Sequence, residues 1–215
     1  MVRKTKEEAE ATREAILVAA SEVFVEKGVA QASLEEIARH AGVTRGAVYW
    51  HFKNKTDIFK ALYDQLYTPF TEMILQDLER DHPQPLQQLA TLCTSLLTDL
   101  AWNPQKRRVL TIFFLKCDYT GEMESVRQGQ NDRKARSIEL FSKYMHRARA
   151  KGHLPATANV HALTLALIAY ITGLIFESLR NPEVFDLKAY APLLIDYIFK
   201  GFAHPRDADG TLPSL

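Results

Sequence analysis

The sequence predicts an all-α protein of about nine helices. Apolar residues recur three and four positions apart along nearly the whole chain, which is the spacing of a helix that buries one face. No segment shows the sustained apolar–polar alternation that is typical of a β-strand. Hydrophobic residues form 47% and charged residues 25% of the 215 residues, a composition typical of globular proteins with a buried core.

The first two helices are predicted from their apolar faces and their end signals. The first buries Ile16, Ala20, Val23 and Phe24 and is expected to end at Gly28. The second is expected to begin after Ser33, a favourable N-cap, and the glutamate three residues later completes a capping box. It is expected to end at Gly42, whose backbone freedom suits a tight turn.

A third, very short helix is predicted after Thr44, with Val48 and Phe52 facing inward. With the second helix it has the layout of a helix-turn-helix, in which the second helix of the pair presents its N-terminal end to the major groove of DNA. Gly46 lacks a side chain, which lets this end approach a duplex closely. Asn54 is expected to cap a fourth helix.

The remaining helices follow from the same spacing. The fourth is long and contains Pro69, where we expect a kink. The later helices are predicted at residues 86–100, 104–116, 122–150, 159–179 and 187–202.

The charge is distributed unevenly, although the net charge is only +1. The segment from Ile37 through Thr56 contains no aspartate or glutamate, but it contains four cations, namely Arg39, Arg45, Lys53 and Lys55. Residues 1–6 are also basic and free of acids. A surface that meets phosphates is expected to have this composition.

Several classes of protein are not indicated. Cys93 and Cys117 show no metal-binding or disulfide spacing, so both are predicted to be buried thiols. No pattern of a catalytic nucleophile, zinc hydrolase, phosphate loop or dinucleotide site occurs, so we expect no enzyme activity, cofactor or metal. No apolar run approaches the ~20 residues of a membrane helix and no signal peptide is evident, so a cytoplasmic protein is expected.

Two segments, residues 33–38 and 41–55, resemble the DNA-binding signature of TetR-family regulators. Residues 3–8, 116–118 and 185–187 resemble those of AcrR-like repressors of multidrug efflux. The resemblance implies a helix-turn-helix DNA-binding domain in residues 1–54 and a ligand-binding and dimerisation domain in residues 55–205. Residues 206–215 are expected to form a flexible tail.

The resemblance also implies roles for individual residues. Arg45 is expected to read a base edge, and Thr44, Tyr49 and His51 are expected to hold phosphates. The further residues expected at the DNA are Arg3, Lys4, Lys6, Ser33, Gly46, Trp50 and Lys55. For Trp50 two interpretations stay open, namely packing on the sugar-phosphate backbone and packing in the core. A purely structural aromatic core of Tyr49, Trp50 and Phe52 is the alternative to DNA contact.

Large apolar residues are abundant in the body of the chain. The resemblance implies a cavity for a hydrophobic effector between these helices, although close packing is the default for such residues. Because residues 112–115 contain no charged residue or histidine to anchor a ligand, we expect a more hydrophobic or flatter ligand. The candidate lining residues are Tyr63, Leu66, Phe70, Leu92, Leu96, Leu110, Phe113, Phe114, Cys117, Ile168, Ile171, Thr172, Ile175 and Phe176.

The last two helices are apolar around much of their surface, so other protein surface must cover them. The resemblance implies a homodimer that pairs these helices and binds double-stranded, palindromic operator DNA. The predicted function is ligand-controlled repression of a multidrug-efflux operon. The alternatives are control of a catabolic or fatty-acid operon, and a ligand carrier without an operator.

Overall fold

The computed structural model describes residues 5–203, and in them the predicted all-α class is confirmed. The described residues form nine α-helices and one 3-10 turn. These are α1 (Lys6–Lys27), α2 (Leu34–His40), α3 (Arg45–His51), α4 (Lys55–Leu78), α5 (Pro85–Trp102), α6 (Pro104–Leu115), the 3-10 turn (Gly121–Met123), α7 (Glu124–Ala150), α8 (Val160–Arg180) and α9 (Leu187–Ala203). The predicted sites Arg3 and Lys4 and the predicted tail at 206–215 lie outside the described residues.

Contacts divide the chain into two compact units. The first comprises Met1–Phe70 and Pro104–Asn131, and the second comprises Thr71–Asn103 and Asp132–Leu215. Helix α4 continues through Pro69 and, like α7, contributes residues to both units. The functional division predicted after residue 54 is drawn by role rather than by contacts, and it stays a prediction.

The first unit is built around α1, which packs against α2, α3 and α6. Thr5 begins the helix through a capping box: its Oγ1 accepts from the Glu8 amide at 3.2 Å, while its own amide donates to Glu8 Oε2 at 2.8 Å. Ile16, Leu17 and Phe24 are completely buried, and Gly28 caps the helix as predicted. Each such burial stabilises the fold by about 1.5–3 kcal/mol relative to exposure.

The second unit packs α5 against α9 and α8 against α9. Tyr144 of α7 is fully buried there, and its hydroxyl donates to Asp77 Oδ2 at 2.7 Å. Burial, with this hydrogen bond, raises the pKa of Tyr144, so the phenol stays protonated. The Tyr144 hydroxyl therefore joins α7 to the last residues of α4 within this unit.

Helix α8 corrects one expectation from the sequence. It has 21 residues and a mean hydropathy of 1.8, so by length and composition it could cross a membrane. The core helix of a soluble protein meets the same criterion, and Thr164, Leu167, Ile171 and Leu174 of α8 are buried in the second unit. The expectation failed because threonine and glycine interrupt the apolar run without lowering its average hydropathy far.

The cysteines differ from each other. Cys93 is fully buried in α5, and burial raises the pKa of its thiol. Cys117 is only partly buried, so the prediction of a buried thiol is wrong for this residue. Burial, with repulsion from Asp118, raises the pKa of Cys117 to about 11, which leaves little reactive thiolate at neutral pH.

Candidate functional site

Local hydrogen bonds fix the helix-turn-helix in the first unit. Ser33 and Glu36 form the predicted capping box, with Ser33 Oγ accepting from the Glu36 amide at 3.2 Å. At the turn, the Gly42 amide donates to Arg39 O at 3.2 Å and the next amide, of Val43, donates to the carbonyl of residue 38 at 3.0 Å. Gly42 has φ +65°, in the left-handed region that favours glycine, so α2 closes in a Schellman motif.

Helix α3 is capped by Thr44, whose Oγ1 accepts from the Ala47 amide at 3.1 Å. Val48 is fully buried and Phe52 is 4% exposed, so this face of α3 anchors the helix in the core. The opposite, exposed face carries five of the predicted DNA-binding residues. We call this set the recognition edge: Thr44, Arg45, Gly46, Tyr49 and Trp50.

The side chain of Arg45 is held by its own helix. Its Nη2 donates to the Tyr49 hydroxyl at 3.2 Å, and the guanidinium carbon lies 5.4 Å from the centre of the Tyr49 ring. The hydrogen bond to Tyr49, followed by the attraction of Tyr49 and Glu35, raises the pKa of Arg45. The recognition edge thus presents a permanent positive charge, which is hydrogen-bonded to Tyr49 one turn away on the same helix.

The two aromatic residues of the recognition edge lie at the surface. Tyr49 is 47% and Trp50 is 73% exposed, so the alternative of an aromatic core holds only for Phe52. Trp50 is supported from one side by the ring of His51, at a centroid distance of 4.5 Å and an interplanar angle of 89°. Most of the Trp50 indole is therefore accessible to a ligand.

The fold does not require glycine at position 46. Gly46 has an ordinary helical backbone, and a Cβ added there would meet only Thr44 Oγ1, at 3.8 Å. This is normal van der Waals contact, so a larger residue would fit within the protein. The interpretation from the sequence, that the missing side chain lets α3 approach a duplex, stays a prediction.

The side chains of two of the predicted DNA contacts form hydrogen bonds within the protein. Ser33 Oγ is used in the capping box with Glu36. Lys55 has a side chain only 15% exposed, and its Nζ contacts Val29 O at 3.1 Å, Ala30 O at 2.9 Å and Glu122 Oε1 at 3.1 Å. We therefore do not carry Lys55 into the proposed interface.

The cation that lies exposed at the C-terminal end of α3 is Lys53. It was not predicted as a DNA contact, although it belongs to the acid-free segment. Two acids near that segment have partners within the protein: Glu36 forms an ion pair with Lys27, and Glu22 lies 3.4 Å from both His40 and Arg108. Lys6, at the start of α1, is also exposed.

Aromatic rings from α4, α6 and the segment after α6 form an aromatic cluster in the first unit. Phe113 is at its centre, stacked on Tyr63 at a centroid distance of 4.3 Å and on Phe59 at 5.8 Å. Beside these rings is a small cleft of about 170 Å³, lined by Phe59, Leu62, Tyr63, Val109, Ile112 and Phe113. The members of the aromatic cluster are Phe59, Tyr63, Tyr67, Phe113, Phe114 and Tyr119.

Polar groups adjoin the aromatic cluster on one side. The Tyr119 hydroxyl donates to Phe113 O at 2.7 Å, and the side chain of Gln130 lies beside it. Gln130 Nε2 is buried beside the Tyr119 hydroxyl. Sequence reasoning missed Gln130, because a glutamine in the polar stretch of α7 gives no signal that it is turned inward.

The predicted ligand-binding residues are divided between the two units. Tyr63, Leu66, Phe70, Leu110, Phe113, Phe114 and Cys117 belong to the first. In the second, Leu92 and Ile171 are buried in the core, whereas Thr172 is exposed on α8. The remaining residues of the second unit are partly buried, namely Leu96, Ile168, Ile175 and Phe176.

Within the first unit, hydrogen bonds join the residue after α6 to the loop before α2, and the 3-10 turn before α7 to the start of α4. The Val29 amide, between α1 and α2, donates to Lys116 O at 3.0 Å. Thr56 Oγ1, at the start of α4, donates to Glu122 O at 3.3 Å, and Lys55 pairs with the Glu122 carboxylate. These bonds form a short connection between the aromatic cluster and the segment that carries α2 and α3.

In the second unit, α8 and α9 each leave an apolar face exposed. On α9, Leu193 is 44% and Tyr197 is 60% exposed, and on α8 Leu165 is 40% exposed. Small residues extend the exposed face of α8 at helical spacing, namely Ala162, Ala166, Ala169 and Gly173. Large exposed apolar faces on paired helices are typical of protein interfaces.

Comparison with known proteins identifies the family. The model of bacterial regulatory proteins of the tetR family matches residues 16–62, and that of the C-terminal region of MAATS-type transcriptional repressors matches residues 84–204, more than half of the chain. The chain belongs to the TetR family. The matched N-terminal segment contains the whole helix-turn-helix, and the predicted family is confirmed.

Individual TetR-family proteins resemble the chain along nearly its whole length. The transcriptional repressor BepR of Brucella suis is 36% identical over 206 residues, covering 96% of this chain and 99% of the relative. NalD, the secondary repressor of the MexAB-OprM multidrug efflux pump in Pseudomonas aeruginosa, has a TM-score of 0.83 at 39% identity, covering 93% of this chain and 99% of NalD. The complex of SmeT from Stenotrophomonas maltophilia with triclosan has a TM-score of 0.81 at 29% identity, covering 95% and 98%. The expected likeness to efflux repressors is therefore confirmed.

Proposed function

We propose that this TetR-family protein is a ligand-responsive repressor of a multidrug-efflux operon. It binds palindromic operator DNA as a homodimer, and a hydrophobic small molecule releases it. The observation that carries the proposal is the recognition edge: an exposed helix end with a charged arginine, in a segment free of carboxylates. The likeness to NalD and BepR supports repression, and that to NalD supports efflux as the target.

In the proposed complex, the N-terminal end of α3 enters the major groove. Arg45 donates to a guanine edge after its hydrogen bond to Tyr49 is exchanged for bonds to the base. Thr44, Tyr49 and His51 hold phosphates, and Trp50 packs on the sugar-phosphate backbone. Lys53 adds a phosphate contact at the other end of α3, and the basic N-terminal residues reach the backbone or the minor groove.

The dimer is proposed to form through the exposed faces of α8 and α9 in two copies of the chain. Pairing these faces removes Leu165, Leu193 and Tyr197 from water, which favours association by about 25 cal/mol for each Å² of apolar surface buried. A two-fold axis then presents two recognition helices to DNA, about 34–36 Å apart or more. This arrangement fits a palindromic operator.

Release is proposed to pass through the first unit. A ligand at the aromatic cluster displaces the end of α6, and the Lys116–Val29 hydrogen bond transmits the shift to the loop that precedes α2. Coupling of this kind is worth about 1–3 kcal/mol in typical allosteric proteins, and it requires a ligand that prefers one conformation. The protein thus acts by binding rather than by catalysis, and it acts in the cytoplasm, where its operator is.

The experiment that tests this function is a titration of the full-length protein against the promoter fragment of its own gene and of a neighbouring efflux operon. We expect sequence-specific binding that triclosan, the molecule in the SmeT complex, weakens. The affinity should fall with salt by about 0.9 logarithmic units for each phosphate contact per logarithmic unit of salt. Absence of specific binding to either promoter, or a flat salt response, would contradict the proposal.

A matched pair of lysine variants separates contact with DNA from support of the fold. Lys53→Ala is expected to reduce the salt slope by about 0.9 per subunit and to leave the free energy of unfolding unchanged. Lys55→Met is expected to lower the free energy of unfolding by about 0.5–1.5 kcal/mol, because it removes the hydrogen bonds to the carbonyls of Val29 and Ala30, and to leave the slope unchanged. Salt titrations and urea unfolding measure both quantities, and the reverse pattern would show that Lys55 is the phosphate contact.

A further inference from the structure

The Arg45 side chain lies against its own helix rather than extending from the end of it. Tyr49 follows Arg45 by four positions, so the two side chains share one face of α3. The tyrosine hydroxyl accepts the hydrogen bond from Arg45 Nη2 at 3.2 Å, and the guanidinium carbon lies 5.4 Å from the centre of the ring. In the free protein, the residue proposed to read a base is therefore already hydrogen-bonded to an uncharged group.

A guanine edge can displace this partner. Residues 37–56 contain no carboxylate, and Glu35 attracts Arg45 through space while the hydrogen bond goes to the phenol. A carboxylate in place of the phenol would bind the guanidinium through two parallel hydrogen bonds, and it would repel the phosphates of DNA. The Tyr49 hydroxyl accepts one hydrogen bond from Arg45, whereas guanine offers two acceptors in the major groove, O6 and N7. The exchange from Tyr49 to guanine is therefore favourable.

At a base pair other than the cognate one, the same exchange is unfavourable. A changed base pair no longer presents this pair of acceptors at the same place in the groove. The guanidinium has five N–H donors and no acceptor, and donors that lose water without gaining an acceptor weaken binding. The Tyr49 hydroxyl supplies an acceptor one turn away, so Arg45 keeps a hydrogen bond there without any movement of the backbone.

We propose that Tyr49 sets the specificity of operator binding by accepting the Arg45 hydrogen bond whenever the base that faces Arg45 is not guanine. This rests on the proposed function, for which it names a second residue that determines specificity.

The phosphate contact proposed for Tyr49 is compatible with this role. A hydroxyl has one donor and two acceptor positions, so Tyr49 can donate to a phosphate while Arg45 is bound to it and also after Arg45 has moved to the base. The phosphate contact contributes equally to both complexes, and only the hydrogen bond from Arg45 differs between them. Tyr49 thus lowers the cost of a wrong base, which helps the protein to stay bound while it moves along non-operator DNA.

The test is a titration of the full-length protein with two operators. One is unchanged, and the other has the guanine replaced at the position whose base preference Arg45→Ala abolishes; discrimination is the ratio of the two dissociation constants. Tyr49→Phe keeps the ring beside the guanidinium and removes the hydroxyl. We expect this variant to bind both operators more weakly, because the phosphate contact is lost. The changed operator should lose a further factor of about 3–10, because Arg45 has no acceptor left there, so discrimination rises by that factor.

Two controls assign the rise in discrimination to the contact between Arg45 and Tyr49. Lys53→Ala removes a proposed phosphate contact at the other end of α3, and it is expected to weaken binding to both operators by the same factor. Adding Tyr49→Phe to Arg45→Ala is expected to leave the discrimination of the single Arg45 variant unchanged, because the guanidinium is gone. Tyr49 is 47% exposed, so the loss of its hydroxyl should not alter the core, and urea unfolding of Tyr49→Phe checks this.

Two results with Tyr49→Phe would overturn this role and leave the proposed function standing, since the operator is still bound specifically. A fall in discrimination would show that the hydroxyl holds Arg45 on the guanine rather than away from it. Unchanged discrimination would show that Tyr49 contacts phosphate alone. An Arg45→Ala variant that keeps every base preference overturns the role as well. Absence of specific binding by the wild type contradicts the proposed function, and this role with it.

Discussion

Replacing Gly46 with leucine is expected to lower operator affinity at least 100-fold while the protein remains folded. The first effect follows because the new side chain would stand on the recognition edge, where α3 meets the groove. The second follows because a Cβ at this position meets only Thr44 Oγ1, at 3.8 Å. Since leucine is also the better helix former, by about 0.8–1 kcal/mol, the free energy of unfolding should stay the same or rise. DNA titration and urea unfolding of the variant measure the two quantities.

The matched control for this variant is Gly129→Leu. Gly129 is also a helical glycine, and a Cβ added there meets nothing within 4 Å. It lies on α7, away from α3 in the sequence, so the control should keep full operator affinity. Retention of operator binding by the Gly46 variant would mean that α3 does not approach the duplex with this edge.

Replacing Leu193 with aspartate is expected to convert the protein to a monomer and to weaken binding to a full palindrome about 100-fold or more. A carboxylate placed within the proposed α8–α9 interface would lose its hydration without gaining a partner, which costs several kcal/mol. A monomer cannot bind two half-sites as one linked unit, so the avidity of the dimer is lost. Analytical ultracentrifugation reports the oligomeric state, and titration with a palindrome and with a single half-site reports the binding.

The control for the dimer is Leu75→Asp. Leu75 on α4 is 38% exposed, close to the 44% of Leu193. The control therefore places the same charge at a similarly exposed leucine on a different helix. This control should remain dimeric and bind the palindrome normally. A Leu193 variant that stays dimeric would remove α9 from the proposed interface. If the variant also bound the single half-site more weakly, the substitution would have damaged the helix-turn-helix.

Much of the helix-turn-helix could be predicted because local chemistry determines it. Ser33 with Glu36, Thr44 and Asn54 each cap a helix through a neighbour three residues away, and the structure contains all three caps. The inward positions Val48 and Phe52 follow from the helical period alone. Each of these signals depends on residues only a few positions apart, so it can be recognised without knowledge of the tertiary structure.

The features that sequence reasoning missed depend on distant contacts. Lys55 was assigned to DNA because it is basic and lies at the start of α4, yet its partners are 25, 26 and 67 positions away in the sequence. Gln130 lies in a polar stretch of α7, and only the position of Tyr119 shows that its amide is turned inward. The sequence could not decide whether Trp50 lies in the core or at the surface, because its neighbours in the sequence do not show whether another helix covers it.

The measurement that tests the central claim most directly is a comparison of wild type and Arg45→Ala on a set of operators in which each base pair of one half-site is changed in turn. Wild type is expected to lose about 1–3 kcal/mol of binding free energy at one guanine position, which is the discrimination typical of a bidentate arginine. The Arg45→Ala variant should bind the unchanged operator more weakly and should no longer distinguish the bases at that position, while it retains its preferences elsewhere. If the variant kept the full set of base preferences and the full affinity, the leading edge of α3 would not be reading the groove.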